Sequence, residues 1–257
     1  MEAINVAAAV FSMVVAVAVP VLFILYVFRF RHLKVHAPDI LMGIIVCYFA
    51  QTVVFTLLMN AFAAVPGLQT LLVNPVGQQV LYCAVGAACF LGGWYVVWAL
   101  VYHRQFSEGQ VSRLTVGACC IKIAADILSA AWSNLSVALR IANGSLEDLL
   151  AGMVNNPSVD VNALVEMYRS YSIPQYLYVG ILAILLVQTT YLLLLQIAER
   201  QPVWMQVVFV VVFSLLYNFT LEVPVPVYVV LGAMVFMGVQ LYFIQQIMHA
   251  YLGGIQP

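Results

Sequence analysis

The chain has 257 residues, of which 65% are hydrophobic and only 7% are charged. About a quarter of the residues in an ordinary soluble domain are charged, so this composition excludes a soluble globular protein and predicts an integral membrane protein. The formal net charge of -1 gives no basis for nucleic-acid binding, and we expect no nucleic-acid partner.

The apolar residues cluster into segments long enough to cross a bilayer, which takes about 20 residues per helix. We predict an all-α polytopic membrane protein, a seven-transmembrane-helix bundle forming a single membrane domain over residues 1–257. Arg29, Arg31 and Lys34 directly follow the first segment, which favours a retained span over a cleaved signal peptide. The predicted spans are 5–28, 40–65, 79–102, 114–139, 176–198, 203–220 and 225–249.

Basic residues in the predicted loops indicate the orientation. The first, third and fifth loops carry an excess of lysine and arginine, whereas the second and sixth carry none. Because basic loops remain in the cytoplasm, we expect the amino terminus outside and the carboxyl terminus inside. The residues that carry this bias are Arg29, Arg31, Lys34, Arg104, Arg113 and Arg200.

The fourth loop, 141–175, is the only sizeable predicted extramembrane piece. Ser145 and Ser158 are suitable N-caps, so we predict two short amphipathic helices, separated by a break at Asn155-Asn156-Pro157. The second would hold Val161, Leu164, Val165 and Tyr168 on one face. These helices would form either a lid over the bundle mouth or a packing cap on it.

A polar stripe inside the fourth span is the strongest candidate for a ligand-binding or partner-binding face. Its members follow one another at spacings of three and four residues, which places them on one face of a helix. Lysine and aspartate are costly within a membrane and usually mark a functional interior. Lys122 and Asp126 form either a structural ion pair or a substrate or partner contact in a polar cavity. The stripe consists of Lys122, Asp126, Ser129, Ser133, Ser136 and Arg140.

The same residue inventory argues against several kinds of chemistry. The cysteines show no CxxC spacing and the histidines lie outside the span centres, so we expect no metal and no cofactor. A Ser–Lys dyad of Lys122 and Ser129 would span about 10 Å along one helix, which is too far for contact. We find no glycine-rich phosphate loop and expect no nucleotide.

Several segments resemble a known family. Small residues fill the third span between Leu81 and Tyr95, the fourth span begins Leu114-Thr115-Val116-Gly117-Ala118, and the fifth ends in Glu199-Arg200. The first span carries Ala18-Val19-Pro20-Val21-Leu22 before a basic loop. This layout resembles the YhfC family of bacterial membrane proteins, which are regarded as glutamic-type intramembrane proteases.

The chain departs from that family at the positions of its catalytic motifs. Leu91 and Gly92 stand where the family has paired glutamates, and the sixth span offers Gln206 but no histidine. In the fourth span, Cys119, Cys120, Lys122 and Asp126 stand where a His and Glu motif is expected. The resemblance therefore implies a degenerate member without catalytic residues.

From these observations we predict a non-catalytic multi-pass scaffold in a bacterial cell membrane. It would contact the lipid bilayer and serve as the accessory subunit of a membrane protein partner, for example an ABC-type transporter. One alternative is an active intramembrane protease that uses Asp126 or Glu222. A second alternative is a small-molecule or lipid binding or transport protein, in which Lys122 and Arg140 attract an anion.

Overall fold

The computed structural model describes residues 2–146, 161–171, 173–218 and 225–253, and it is helical throughout these ranges apart from short connections. Within these ranges, six of the helices are long and apolar enough to cross a membrane. The prediction of an all-α, multi-pass membrane protein is thereby confirmed. The helices of the described residues are α1 (Glu2–Phe30), α2 (Ala37–Ala63), α3 (Pro66–Val73), α4 (Pro75–Leu100), α5 (Glu108–Ala142), α6 (Val161–Arg169), α7 (Ile173–Ala198), α8 (Val203–Asn218) and α9 (Val227–Gly253).

Six of the predicted spans correspond to α1, α2, α4, α5, α7 and α9. The remaining span, predicted over 203–220, corresponds to α8, an apolar helix of 16 residues. That is shorter than the length a bilayer normally requires, and residues 219 and 220 lie outside the described part. A seventh crossing therefore stays a prediction.

Helix α7 forms the centre of the bundle. In its apolar stretch of 18 residues, 78% of the residues are buried. In the corresponding stretches of α1, α2 and α9, the buried share is 22% each. It packs against α1, α5, α8 and α9. A helix that is apolar on all sides is suited to this position because every face meets another helix. The outer helices turn exposed valine and leucine side chains to the surface that lipid would cover.

The closest helix contact lies between α2 and the first half of α5, which run in the same direction. A Cβ added to Gly117 would overlap the carbonyl oxygen of Ile40, and one added to Gly43 would overlap that of Leu114. Small residues let backbones approach in this way, which gains van der Waals contact in a medium without a hydrophobic driving force. These two glycines therefore fix how α2 and α5 meet.

Both helices change their winding just beyond this crossing. Phe49–Val54 in α2 and Ile123–Ile127 in α5 are π-helical turns. A π-turn widens the helix and often occurs at functional sites. Past its π-turn, the second half of α5 packs against α1 and α7. The two helices that touch at Gly43 and Gly117 thus border an open space further along.

Of the two helices predicted in the fourth loop, the second is confirmed as α6. Its Val165 is buried and packs with Tyr168 against Val137 and Ile141 of α5. This contact is the one expected of a packing cap. The first predicted helix starts at Ser145 and ends before Asn155, and from residue 147 onward it lies outside the described part of the chain.

Replacing Gly117 by alanine tests the helix crossing. We expect a loss of stability of about 2 kcal/mol or more, since overpacking forces the two backbones apart. Thermal unfolding in mild detergent measures it. Gly92→Ala is the control, because a Cβ at Gly92 of α4 would have no neighbour within 4 Å. Equal melting temperatures for the two variants would contradict the crossing.

Candidate functional site

A cavity of about 580 Å³ opens in the half of the bundle where α2 and α5 end. Its size falls within the range of small-molecule pockets, roughly 300–1,000 Å³. Residues from α2, α4, α5, α7 and α8 line it, and both π-turns contribute to its wall. The lining residues are Gln51, Phe55, Tyr82, Gly86, Lys122, Ala125, Asp126, Ile127, Ser129, Ala130, Ser133, Val179, Leu182, Phe213, Ser214, Tyr217 and Asn218.

Three polar side chains meet in the wall of the cavity. Lys122 Nζ forms an ion pair with Asp126 Oδ2, and the Tyr217 hydroxyl donates a hydrogen bond of 2.7 Å to the same oxygen. The ammonium also lies 5.3 Å from the centroid of the Tyr217 ring, within reach of a cation–π contact. The lysine side chain is 17% exposed and the aspartate 41%. The acid is therefore the more accessible member of the pair.

Four of the six residues of the predicted stripe lie together at this cavity: Lys122, Asp126, Ser129 and Ser133. Ser136 and Arg140 are not among the residues that line it, and the binding face predicted for the whole stripe stays a prediction. They lie about one and two turns further along α5. Arg140 occupies the last turn, where a cation interacts favourably with the carbonyl end of a helix.

Aromatic rings form much of the remaining wall. Phe55 of α2 meets Tyr82 of α4 edge to face at 5.9 Å, and on α8 the rings of Phe213 and Tyr217 lie 5.5 Å apart. Gly86 lies near Phe55 and leaves the space between the two sides open. The wall is thus largely apolar, and its polar groups concentrate around Asp126.

Tyr217 is a site residue that the sequence reasoning missed. It follows an apolar run of α8 and belongs to no spacing pattern with Lys122 or Asp126. The only available signal was its neighbour Asn218, a polar residue in a predicted span, which also lines the cavity. The pairing of α8 with α5 is a tertiary contact that helical spacing cannot reveal.

A second polar cluster lies where α2 and α5 begin. Asp39 is 3% exposed, and its carboxylate accepts hydrogen bonds from Arg113 Nε at 2.7 Å and from the Tyr102 hydroxyl at 2.8 Å. His36 Nδ1 lies 3.1 Å from the same carboxylate. Burial and the hydrogen bond to Asp39 raise the pKa of Tyr102, which keeps the phenol protonated. The cluster ties the end of α4 to the beginnings of α2 and α5.

This cluster was not predicted from the sequence either. Arg113 was considered only as a loop charge that sets orientation, and Asp39 lies one residue before the predicted second span. Asp39 stands in the first turn of α2, just after Pro38, where an acid suits the amino-terminal end of a helix. That position was the available signal, but only the fold brings Arg113 to it.

Charge in the cavity is balanced. Of the lining residues that the structure describes, only Lys122 and Asp126 are charged. No group of three or more His, Cys, Asp or Glu side chains with the arrangement of a metal site occurs within the described ranges. The arrangement suits recognition of a polar group by an ion pair and a phenol.

No protein-family model, curated protein or solved structure matches this chain. The resemblance to the YhfC family therefore stays an expectation drawn from sequence motifs. An activity for this protein has to follow from the geometry of its own cavity.

The Lys122–Asp126 pair can be tested by comparing one and two substitutions. We expect Asp126→Asn to destabilise the protein by about 1 kcal/mol or more, because it leaves the mostly buried lysine unpaired. The double variant Lys122→Met/Asp126→Leu should lose less, since no unpaired charge remains. Thermal unfolding in detergent distinguishes the two. Equal stability of both variants would remove the pair as a contributor to stability.

Asp39→Asn should cost about 3 kcal/mol, because it leaves Arg113 without its buried counter-ion. Chemical or thermal unfolding in detergent measures the loss. His36→Gln is the matched control, since His36 contacts the same carboxylate but its side chain is 58% exposed. If both variants unfold alike, Asp39 does not hold this end of the bundle together.

Proposed function

We propose that this protein is a non-catalytic membrane protein that binds an amphiphilic molecule in the cavity between α2, α4, α5, α7 and α8. The observation that carries the proposal is the coexistence of a polar trio and aromatic walls in one open space of about 580 Å³. The polar end of a ligand would meet Lys122, Asp126 and Tyr217. Its apolar part would lie along Phe55, Tyr82 and other wall residues.

The exposure of Asp126 in the ion pair supports ligand binding rather than a purely structural role for the pair. Protein interiors are close-packed, and a structural ion pair is normally enclosed by the groups around it. Asp126 instead remains 41% exposed on the cavity wall. Both of its described contacts use Oδ2, from Lys122 and Tyr217. The other oxygen, Oδ1, is therefore the acceptor that a ligand would use.

The lining does not favour the alternative of an active protease. Aspartic proteases catalyse with two carboxylates whose pKa values differ because they share a site. Asp126 is the only carboxylate among the lining residues that the structure describes, and it is held by Lys122 and Tyr217. Glu222, the other acid considered, lies outside the described part of the chain.

The position of the cavity relative to the membrane follows from the predicted topology. We propose seven crossings in a cell membrane, with the amino terminus outside, so that the cavity belongs to the outer half of the bundle. The cluster around Asp39 and the ion pair between Arg31 and Glu108 would then lie at the cytoplasmic end. Service as an accessory subunit beside a transporter, including one of ABC type, is part of this proposal and draws its support from the family resemblance.

Filling the cavity tests the proposal without removing a polar group. Gly86→Leu should reduce binding of lipid at least about fivefold, because the new side chain occupies the space beside Phe55. Delipidated protein is titrated with phosphatidylethanolamine, phosphatidylglycerol and phosphatidylcholine, and bound lipid is counted by native mass spectrometry. The control is Gly92→Leu on the same helix, where a Cβ meets nothing within 4 Å. Unchanged lipid binding in both variants, or an equal loss in both, would contradict a binding site in this cavity.

A further inference from the structure

We infer that the cavity recognises a zwitterionic headgroup that carries a primary ammonium and an anionic oxygen, as phosphatidylethanolamine does. This inference rests on the proposed function and specifies the chemical class of its ligand. Three features carry it: the charge balance of the lining, the unused hydrogen-bonding capacity of the ion pair, and the surface at which the cavity opens.

Charge balance selects against ligands with a net charge. The described lining contains one cation, Lys122, and one anion, Asp126. A ligand with a net charge would leave that charge uncompensated in an environment of low dielectric constant, where it is costly. A zwitterion adds equal and opposite charges and leaves the occupied cavity neutral.

The geometry of the ion pair provides a partner for each charge of a zwitterion. A lysine ammonium has three N–H donors, and the described contacts of Lys122 are with Asp126 Oδ2 and the Tyr217 ring face. The remaining donors can bind an anionic oxygen of the ligand. Asp126 Oδ1 can accept a hydrogen bond from the ligand ammonium. The four charges then alternate in sign, so each one has neighbours of opposite charge.

A primary ammonium fits this arrangement better than a quaternary one. A quaternary ammonium has no N–H donor and is bound mainly by the faces of aromatic rings. The face of Tyr217 nearest to the ion pair is already covered by Lys122 Nζ, at 5.3 Å from the ring centroid. At the ion pair, the group that remains for a ligand cation is therefore Oδ1 of Asp126, which accepts a hydrogen bond from an N–H donor. The site should therefore distinguish ethanolamine from choline.

The position of the opening favours a lipid over a water-soluble zwitterion. Ser129 and Ser133 line the cavity and are also exposed on the surface of α5, next to Trp132, which is 63% exposed. This surface belongs to a helix long and apolar enough to span a membrane. A headgroup could pass the two serine hydroxyls and reach Asp126, which precedes Ser133 by about 10 Å along the axis of α5. Its acyl chains would remain against Phe55, Tyr82 and the bilayer.

Competition between headgroups tests the inference. Delipidated full-length protein in mild detergent is offered equal amounts of phosphatidylethanolamine, phosphatidylcholine and phosphatidylglycerol with identical acyl chains, and native mass spectrometry counts each complex. We expect phosphatidylethanolamine to bind about tenfold tighter than the other two, as one additional hydrogen bond to a charged group provides. Water-soluble phosphoethanolamine, added at the same concentration, should not displace it.

Two substitutions should change the preference in opposite directions. Asp126→Asn leaves a net positive lining and should shift the preference to anionic phosphatidylglycerol. Lys122→Gln leaves a net negative lining and should weaken phosphatidylglycerol binding further. Arg140→Gln is the matched control, because it removes a charge from the same helix outside the cavity lining and should keep the wild-type order.

The outcomes separate this inference from the proposed function. If wild-type protein binds all three lipids equally but Gly86→Leu reduces the binding, the inference of a zwitterionic headgroup is wrong. The proposal of a binding site in the cavity is then still supported. If no lipid binds in a manner sensitive to Gly86→Leu, both proposals fail. Displacement by phosphoethanolamine as effective as by the lipid would overturn the choice of a lipid. A tenfold preference for phosphatidylethanolamine that is lost in Asp126→Asn and kept in Arg140→Gln supports the inference. If Asp126→Asn does not fold, the order of the three headgroups in wild-type protein still tests it.

Discussion

The structure depends on the backbone contact between α2 and α5 at Gly43 and Gly117. Side chains at these positions would overlap the carbonyl oxygens of the facing helix. The contact holds two parallel helices together over the half in which they begin, and Asp39 and Arg113 join them at that same end. Because small residues allow this approach, the backbones of the two helices meet directly at these positions.

The cavity lies beyond that contact, where the winding of both helices changes. Both helices enter a π-turn, in Phe49–Val54 and Ile123–Ile127, and the second half of α5 turns to α1 and α7. The space left beside α2 is bordered by α4 and α8, which supply aromatic rings and Tyr217. Asp126 lies within the π-turn itself. The same deviation that opens the cavity therefore presents the carboxylate to it.

The two polar clusters of the bundle differ in accessibility, and this difference separates their roles. Asp39 is nearly inaccessible and has described partners on three sides, which suits a structural contact. Asp126 keeps a large exposed fraction although it lies in an apolar helix, and its described partners share one oxygen. An accessible carboxylate in such a helix is costly unless something binds to it. This is the physical basis for proposing ligand recognition at Asp126.

The sequence by itself determined the fold class, the bounds of six spans to within a few residues, and the position of Lys122, Asp126, Ser129 and Ser133 on a shared helix face. These features depend on composition and local periodicity, which are properties of neighbouring residues. Only the tertiary structure decided that Tyr217 completes the site, that Asp39 pairs with Arg113, and that Ser136 and Arg140 lie outside the cavity lining. Such contacts join residues far apart in the chain, through helix pairings and π-turns that a regular helical repeat does not contain.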